Sequence, residues 1–223
     1  MNWELLPQYV TAAAGIGTAA FALVDGSKIL RSGGVSRLGF ARVENALTPF
    51  FPSGSTQAAD APALGGRQIL STLLANWLNG TELAEQKAIA KSLLKLALTA
   101  HSAQSFATAT GTPRETLDSI VGHLTEGTSL TDAGISAMGR FDLVLSAIID
   151  EAYERADQIY RNSAKAWSVL VSVILGVVGF KMADLCWIDG LLVGLAATPI
   201  APVAKDLTSA LAAATKAAEA FRR

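Results

Sequence analysis

From Ala166 to Ala204 the chain reads AWSVLVSVILGVVGFKMADLCWIDGLLVGLAATPIAPVA, with charge only at Lys181, Asp184 and Asp189. A soluble helix shows a polar stripe along one side, yet Val169–Phe180 offers Ser172 alone. Water is a poor solvent for such a stretch and a bilayer a good one. At 1.5 Å per residue, about 20 apolar residues cross ~30 Å of hydrocarbon. Ala166 to about Trp187 meets that length, and Ile188–Ala204 meets it if it continues toward Leu207 and Leu211. A third apolar segment, Tyr9–Val24, is long enough when Trp3, Leu5 and Leu6 form its head. The competing reading, three core helices of a soluble bundle, fits the composition poorly. Charged residues make up 17% of the chain and hydrophobic ones 51%, where a soluble domain carries about a quarter charged.

The flanking charges order these segments. Lys28, Arg31, Arg37 and Arg42 follow the first, Arg155, Arg161 and Lys165 precede the second, and Lys205, Lys216, Arg222 and Arg223 follow the third. Cytoplasmic flanks are enriched in Lys and Arg. All three cationic flanks share one side if the N-terminus is outside and both the middle of the chain and the C-terminus are cytoplasmic. The opening MNWELLPQ lacks the basic start of a secretory signal, although AFA at Ala20–Ala22 could mimic a cleavage site.

The second and third segments then form a membrane hairpin with WIDG, Trp187–Gly190, as its tight outer turn, since Asp-Gly favours turns. Cys186 falls on the outer side. Gly176 and Gly179 on one helix, with Gly190 and Gly194 on the next, are candidates for close backbone packing. Trp3, Tyr160, Trp167 and Trp187 are candidate membrane-interface anchors. Lys181 and Asp184 are either an intramembrane pair, which would mark a functional site, or end-of-helix groups, the lysine snorkelling to the surface.

Between the first and second segments the pattern is helical throughout, with no period-two alternation. Val35–Phe51 reads as one amphipathic helix with Leu38, Phe40, Val43, Leu47, Phe50 and Phe51 apolar. It either lies along the inner membrane surface or packs on the domain that follows. Pro52–Gly66 reads as a loop. Ile69, Leu70, Leu73, Leu74, Trp77 and Leu78 then recur at helical spacing up to Asn79-Gly80, and Ile89, Leu93, Leu96 and Ala100 recur in a helix running to Gly111. TPRE, Thr112–Glu115, reads as a helix start with Thr112 as cap and Pro113 at the first helical position. From Thr131 onward no proline interrupts the chain before Pro199, and no glycine falls between Gly139 and Gly176. One helix should therefore leave the bundle and enter the bilayer.

Chemistry is scarce. The net charge of −1 provides no basic footprint for nucleic acid. The single cysteine, Cys186, excludes an intramolecular disulfide and a cysteine-based zinc cluster. Asp150, Glu151, Glu154 and Asp157 lack the Glu-x-x-His pairing of a di-iron bundle and read as a solvated face; His101 and His123 stand in no ligand spacing. PSGSTQ after Phe51 lacks a nucleophile elbow, and RSGGVSRLG lacks the lysine of a phosphate loop. The expectation is no enzyme, no cofactor and no metal.

The tract FDLVLSAIIDEAYERADQIYRNSAKAWSVLVSVILGVVGF, Phe141–Phe180, resembles an uncharacterised family of bacterial three-crossing inner-membrane proteins. In these a charged helix ending in an aromatic and basic cluster, here Tyr160, Arg161, Lys165 and Trp167, runs into a transmembrane helix. SRLGF at Ser36–Phe40 and the Gly194–Pro202 segment add to the likeness, which covers about a third of the chain. The resemblance implies a bacterial inner-membrane location and carries no activity with it.

The expected fold is all-α, with about three transmembrane helices and a helical cytoplasmic bundle. Residues 1–25 form the N-terminal crossing, 26–66 the amphipathic helix and loop, 67–165 the bundle, 166–210 the hairpin and 211–223 a cytoplasmic tail. The expected partners are the lipid bilayer and a protein partner or second copies of the chain. The expected role is an interaction or scaffold module or an accessory subunit, with a small oligomeric channel or transporter as the alternative.

Overall fold

The computed structural model describes residues 6–27, 33–52 and 65–199. They are all-α, with no strand among the described residues. The helices are α1 (Leu6–Gly26), α2 (Gly34–Leu47) with a 3-10 turn Thr48–Phe50, α3 (Gly66–Asn79), α4 (Leu83–Ala97), α5 (Ala103–Thr110), α6 (Arg114–Glu126) and α7 (Asp132–Met182), followed by α8 (Trp187–Pro199). The chain forms two compact units, Ser36–Tyr160 and Met1–Val35 with Arg161–Arg223. Helix α7 is 51 residues long, about 76 Å at the helical rise, and contributes to both.

The Ser36–Tyr160 unit is a helical bundle whose core takes residues from every helix in it. Phe40, Val43 and Leu47 come from α2, Ile69, Leu73 and Trp77 from α3, and Phe141, Leu145, Ile149 and Tyr153 from α7. The rings of Phe50, Phe106 and Phe141 line up at centroid distances of 5.1 and 6.2 Å. A second aromatic group is centred on Trp77, 6.3 Å from Phe40 and 6.4 Å from Tyr153. Its indole N–H is satisfied by the Ser36 hydroxyl at 2.8 Å, as a buried tryptophan requires. Burial raises the phenol of Tyr153 above its ordinary range. Of the two settings open to the amphipathic helix, α2 takes the bundle. Phe40, Val43, Leu47 and Phe50 are buried there while Leu38 is exposed, and contacts divide the chain before Ser36 rather than at Gly66. Gly39 makes this fit possible: a Cβ there would lie 2.6 Å from the Ala156 carbonyl oxygen and 2.9 Å from Tyr160 Cβ.

Three local expectations change. The helix read as continuous to Gly111 breaks into α4 and α5, because Ser102 turns back. Its hydroxyl donates to the Ala97 carbonyl at 2.7 Å and accepts from the Thr99 N–H at 2.8 Å. Serine and threonine side chains compete with the helical ladder in this way. The fully buried face of α4 is Gln86, Ala90, Leu94 and Ala97; Ile89 and Leu93 of the expected stripe are partly buried against the core, and Leu96 is 60% exposed. Helix α6 begins at Arg114, one residue later than expected, since Pro113 is extended at ψ 133°; the Thr112 hydroxyl accepts from Thr110 instead of capping.

The turned α4 face has an electrostatic reason. Lys87, Lys91 and Lys95 recur every fourth residue and meet acids of α7. Lys87 lies 3.2 Å from Asp150 and 2.7 Å from Glu154, Lys91 lies 2.6 Å from Asp142, and Lys95 also reaches Asp142. Arg42 joins Glu151 at 3.0 Å, and Arg155 pairs with the same carboxylate at 2.6 Å. Asp150, Glu151 and Glu154 of the acidic group are exposed, as the solvated-face reading expects, and also pair with cations of α2 and α4. Hydrogen bonds from Lys91 and Lys95 hold the Asp142 carboxyl below its ordinary value of 3.8, and Glu154 chiefly raises Lys87 above 10.5.

These shifts set a pH window. The contribution of Asp142 is present above its unfolded value and lost as pH falls through the lower folded one; that of Lys87 is present below 10.5 and lost as pH rises through its raised value. Asp142→Asn should cost about 1 kcal/mol at neutral pH, a melting temperature lower by ~4 °C. It should also flatten the loss of stability below pH 3.8. Thermal unfolding of the full chain across acid pH tests this, and an unchanged acid limb would contradict these pairings.

Candidate functional site

The other unit is built from apolar helices. Two of the described helices, α1 over Gln8–Gly26 and α7 in its distal part, are long and apolar enough to cross a membrane by length and composition. In each, 22% of the apolar window is buried within the protein, whereas a core helix would be mostly buried. Helix α8 is apolar but described over Trp187–Pro199 alone; the rest of the third expected crossing lies outside the described residues. Leu23 on α1, Leu170, Ile174 and Val178 on α7, and Leu192 and Leu195 on α8 are exposed large apolar side chains.

Small residues hold α7 and α8 together. On α7 the buried positions are Ser168, Ser172, Gly176 and Phe180, each four apart. On α8 they are Gly190, Val193, Gly194 and Ala197. A Cβ on Gly190 would lie 2.5 Å from the Gly176 carbonyl oxygen, and one on Gly194 would lie 2.7 Å from Val173 Cα. The helices therefore touch backbone to backbone, as small-residue seams allow. Ser172 donates to the Ser168 carbonyl at 2.7 Å, and its hydroxyl lies 3.5 Å from that of Thr198. Sequence reading missed these hydroxyls, although the four-residue spacing of Ser168, Ser172 and Gly176 carries the signal. Tyr9 of α1 stacks on Phe180 at 6.1 Å, beside Ala13, Val193 and Ala197.

The structure brings Gly176, Gly190 and Gly194 together and leaves Gly179 out, exposed with no heavy atom near its missing Cβ. The turn also moves. Asp189 and Gly190 lie inside α8, and the chain reverses at Ala183–Cys186, where Asp184 adopts φ 54° and Leu185 N–H donates to the Phe180 carbonyl at 2.9 Å. Gly190 is needed at the helix contact, so a left-handed aspartate closes α7 instead. Lys181 and Asp184 are both exposed, and among the described ion pairs none joins them. Cys186 is exposed.

Of the expected interface anchors, Trp167 and Trp187 are about half exposed, and Trp3 lies outside the described residues. Tyr160 belongs to the bundle, half-buried with its ring edge-on to Trp77 at 6.2 Å. Among the described residues no group of three His, Cys, Asp or Glu could hold a metal ion. The His123 Nδ1 is engaged with the Thr128 hydroxyl at 2.7 Å. Comparison of the chain with protein-family models, with curated proteins and with solved structures finds no match.

The seam makes a sharp contrast between two glycines. Gly194→Leu should cost about 2 kcal/mol or more, because the side chain has only backbone to displace. Gly179→Leu should stay within ~0.5 kcal/mol of the parent. Thermal unfolding of the full chain in mild detergent distinguishes them, and equal effects would contradict the seam.

Proposed function

We propose that the protein is a non-enzymatic integral membrane protein of a bacterial inner membrane, whose helical bundle is a cytoplasmic interaction or scaffold module, or an accessory subunit of a membrane complex. The observation that carries the reading is α7. One helix supplies Phe141, Leu145, Ile149 and Tyr153 to the core of the bundle and, further along, exposes Leu170, Ile174 and Val178. In water that surface would drive association; in hydrocarbon it is solvated, and an unbroken helix satisfies its own backbone there. The cationic flanks support a cytoplasmic bundle and C-terminus with the N-terminus outside.

A partner is supported by an unclaimed face of the bundle. Ile135, Gly139, Leu143 and Ala147 are exposed at four-residue spacing on α7, Leu143 at 73%. A protein partner or a second copy would cover this stripe. The oligomeric channel finds less support. The α7–α8 seam is closed by backbone contact, and Lys181 lies on the last turn of α7 with Asp184 just beyond it, so neither adds a polar group along the apolar helix.

Purification of the full chain in mild detergent, with mass spectrometry of co-eluting proteins, tests the proposal. Leu143→Asp should abolish a stoichiometric partner or self-association at least tenfold while the chain stays in the membrane fraction with an unchanged melting temperature. A wild-type chain that runs as a monodisperse monomer without partner would contradict the scaffold role.

A further inference from the structure

A groove lies where α2 and its 3-10 turn meet α5. It holds about 400 Å³, within the roughly 300–1,000 Å³ of small-ligand sites. Asn45, Thr48, Pro49 and Phe51 line it from one side, and Gln104 and Thr108 from the other. Both sides are held from the core, where Phe50 and Phe106 meet edge-on at 5.1 Å. The Phe51 ring sits against α3, where a Cβ on Gly66 would run into it. No charged side chain lines the groove among the described residues. The charges nearest in the chain are paired with one another, Arg37 with Glu44 at 2.8 Å and Arg114 with Asp118 at 3.2 Å.

The polar groups have set roles. The Thr48 hydroxyl donates to the Glu44 carbonyl at 2.6 Å, and that of Thr108 donates to the Gln104 carbonyl at 3.0 Å. Each hydroxyl proton is thereby committed, and each oxygen keeps lone pairs to accept with. Arginine only donates, so the 3.4 Å contact with Arg114 turns the Gln104 side-chain oxygen that way and leaves its NH2 group toward Thr108. The Asn45 carboxamide is exposed and holds no hydrogen bond among the described residues. Uncharged donors and acceptors beside two rings complement a peptide unit, which brings one C=O, one N–H and a side chain.

We propose that the groove binds a short uncharged peptide segment of a partner protein. Asn45 and Gln104 donate to its main-chain carbonyls, Thr48 and Thr108 accept from its N–H groups, and an apolar side chain lies against Pro49 and Phe51. A polyol meets the same hydrogen-bonding groups but brings nothing apolar for the two rings, and a charged ligand finds no counter-ion. The inference rests on the interaction-module reading above and gives the partner a contact distinct from the Leu143 stripe.

The full chain in mild detergent, titrated with N-acetyl-Ala-Leu-Ala-amide, tests the site through the side-chain amide resonances of Asn45 and Gln104. Both should shift and saturate together. Asn45→Ala should weaken binding about fivefold, the worth of one hydrogen bond, at an unchanged melting temperature. Replacing the central leucine of the peptide by glutamate should weaken it further, while Leu143→Asp should leave it intact. Resonances that do not move, or binding that survives Asn45→Ala combined with Gln104→Ala, would overturn the site. Equal shifts with glucose would overturn the peptide as its occupant. A chain that takes the tripeptide but co-purifies with no partner would keep the groove and defeat the scaffold role instead.

Discussion

A helical hydrogen-bond ladder that does not break between Asp132 and Met182 is the constraint on which the other elements depend. No proline falls within those residues, and the stretch from Arg140 to Leu175 is free of glycine, so nothing kinks or unwinds the backbone. One helix then presents two different surfaces in succession. Its first part offers Phe141, Leu145, Ile149 and Tyr153 to the bundle and an acidic edge to α4. Its later part offers Ser172 and Gly176 to α8 and leaves branched apolar side chains outside. In the proposed setting, water and hydrocarbon are the two solvents that this change of surface answers.

The two units solve close approach with the same device. Gly39 lets α2 come within backbone contact of α7 at Ala156, and Gly176, Gly190 and Gly194 do so for α7 and α8. What surrounds the contacts differs. In the bundle, large aromatic rings and paired charges fill the remaining space, where burial from water is the driving term. Among the described residues of the apolar unit, the contacts beside the seam include Tyr9 on Phe180, packed with Ala13, Val193 and Ala197, and a short run of hydroxyls. Between helices solvated by lipid, van der Waals packing and hydrogen bonds carry association because burial alone does not.

Much of this was legible before any coordinates, where the signal is local. The continuity of α7 follows from missing breakers, and Gly80, Gly111 and Gly127 end their helices with φ near +70° as expected of C-terminal glycines. What depends on a distant partner was not legible. The rotation of α4 requires Asp142, Asp150 and Glu154 to stand opposite its lysines. The break at Ser102 relies on a side chain that favours two backbone partners over the helix. The turn near Cys186 sits earlier than Asp189-Gly190 implied, because Gly190 is claimed by Gly176. Gly179 reads the same as Gly176 in sequence and differs only in which way it faces.

The most direct measurement is a distance along α7 across the bundle boundary, with the full chain reconstituted in lipid. Spin labels would replace the exposed Gln158 and Ile174 in a Cys186→Ser background. A continuous helix predicts one narrow distribution somewhat longer than the ~24 Å axial rise of about 16 residues at 1.5 Å each, because the two labels project from opposite sides of the helix. Relaxation of both labels by lipid-soluble oxygen should be strong at position 174 and weak at position 158. A broad or distinctly shorter distribution would mean that the helix breaks between bundle and apolar segment. Equal oxygen access at both positions would contradict a bilayer around the distal part.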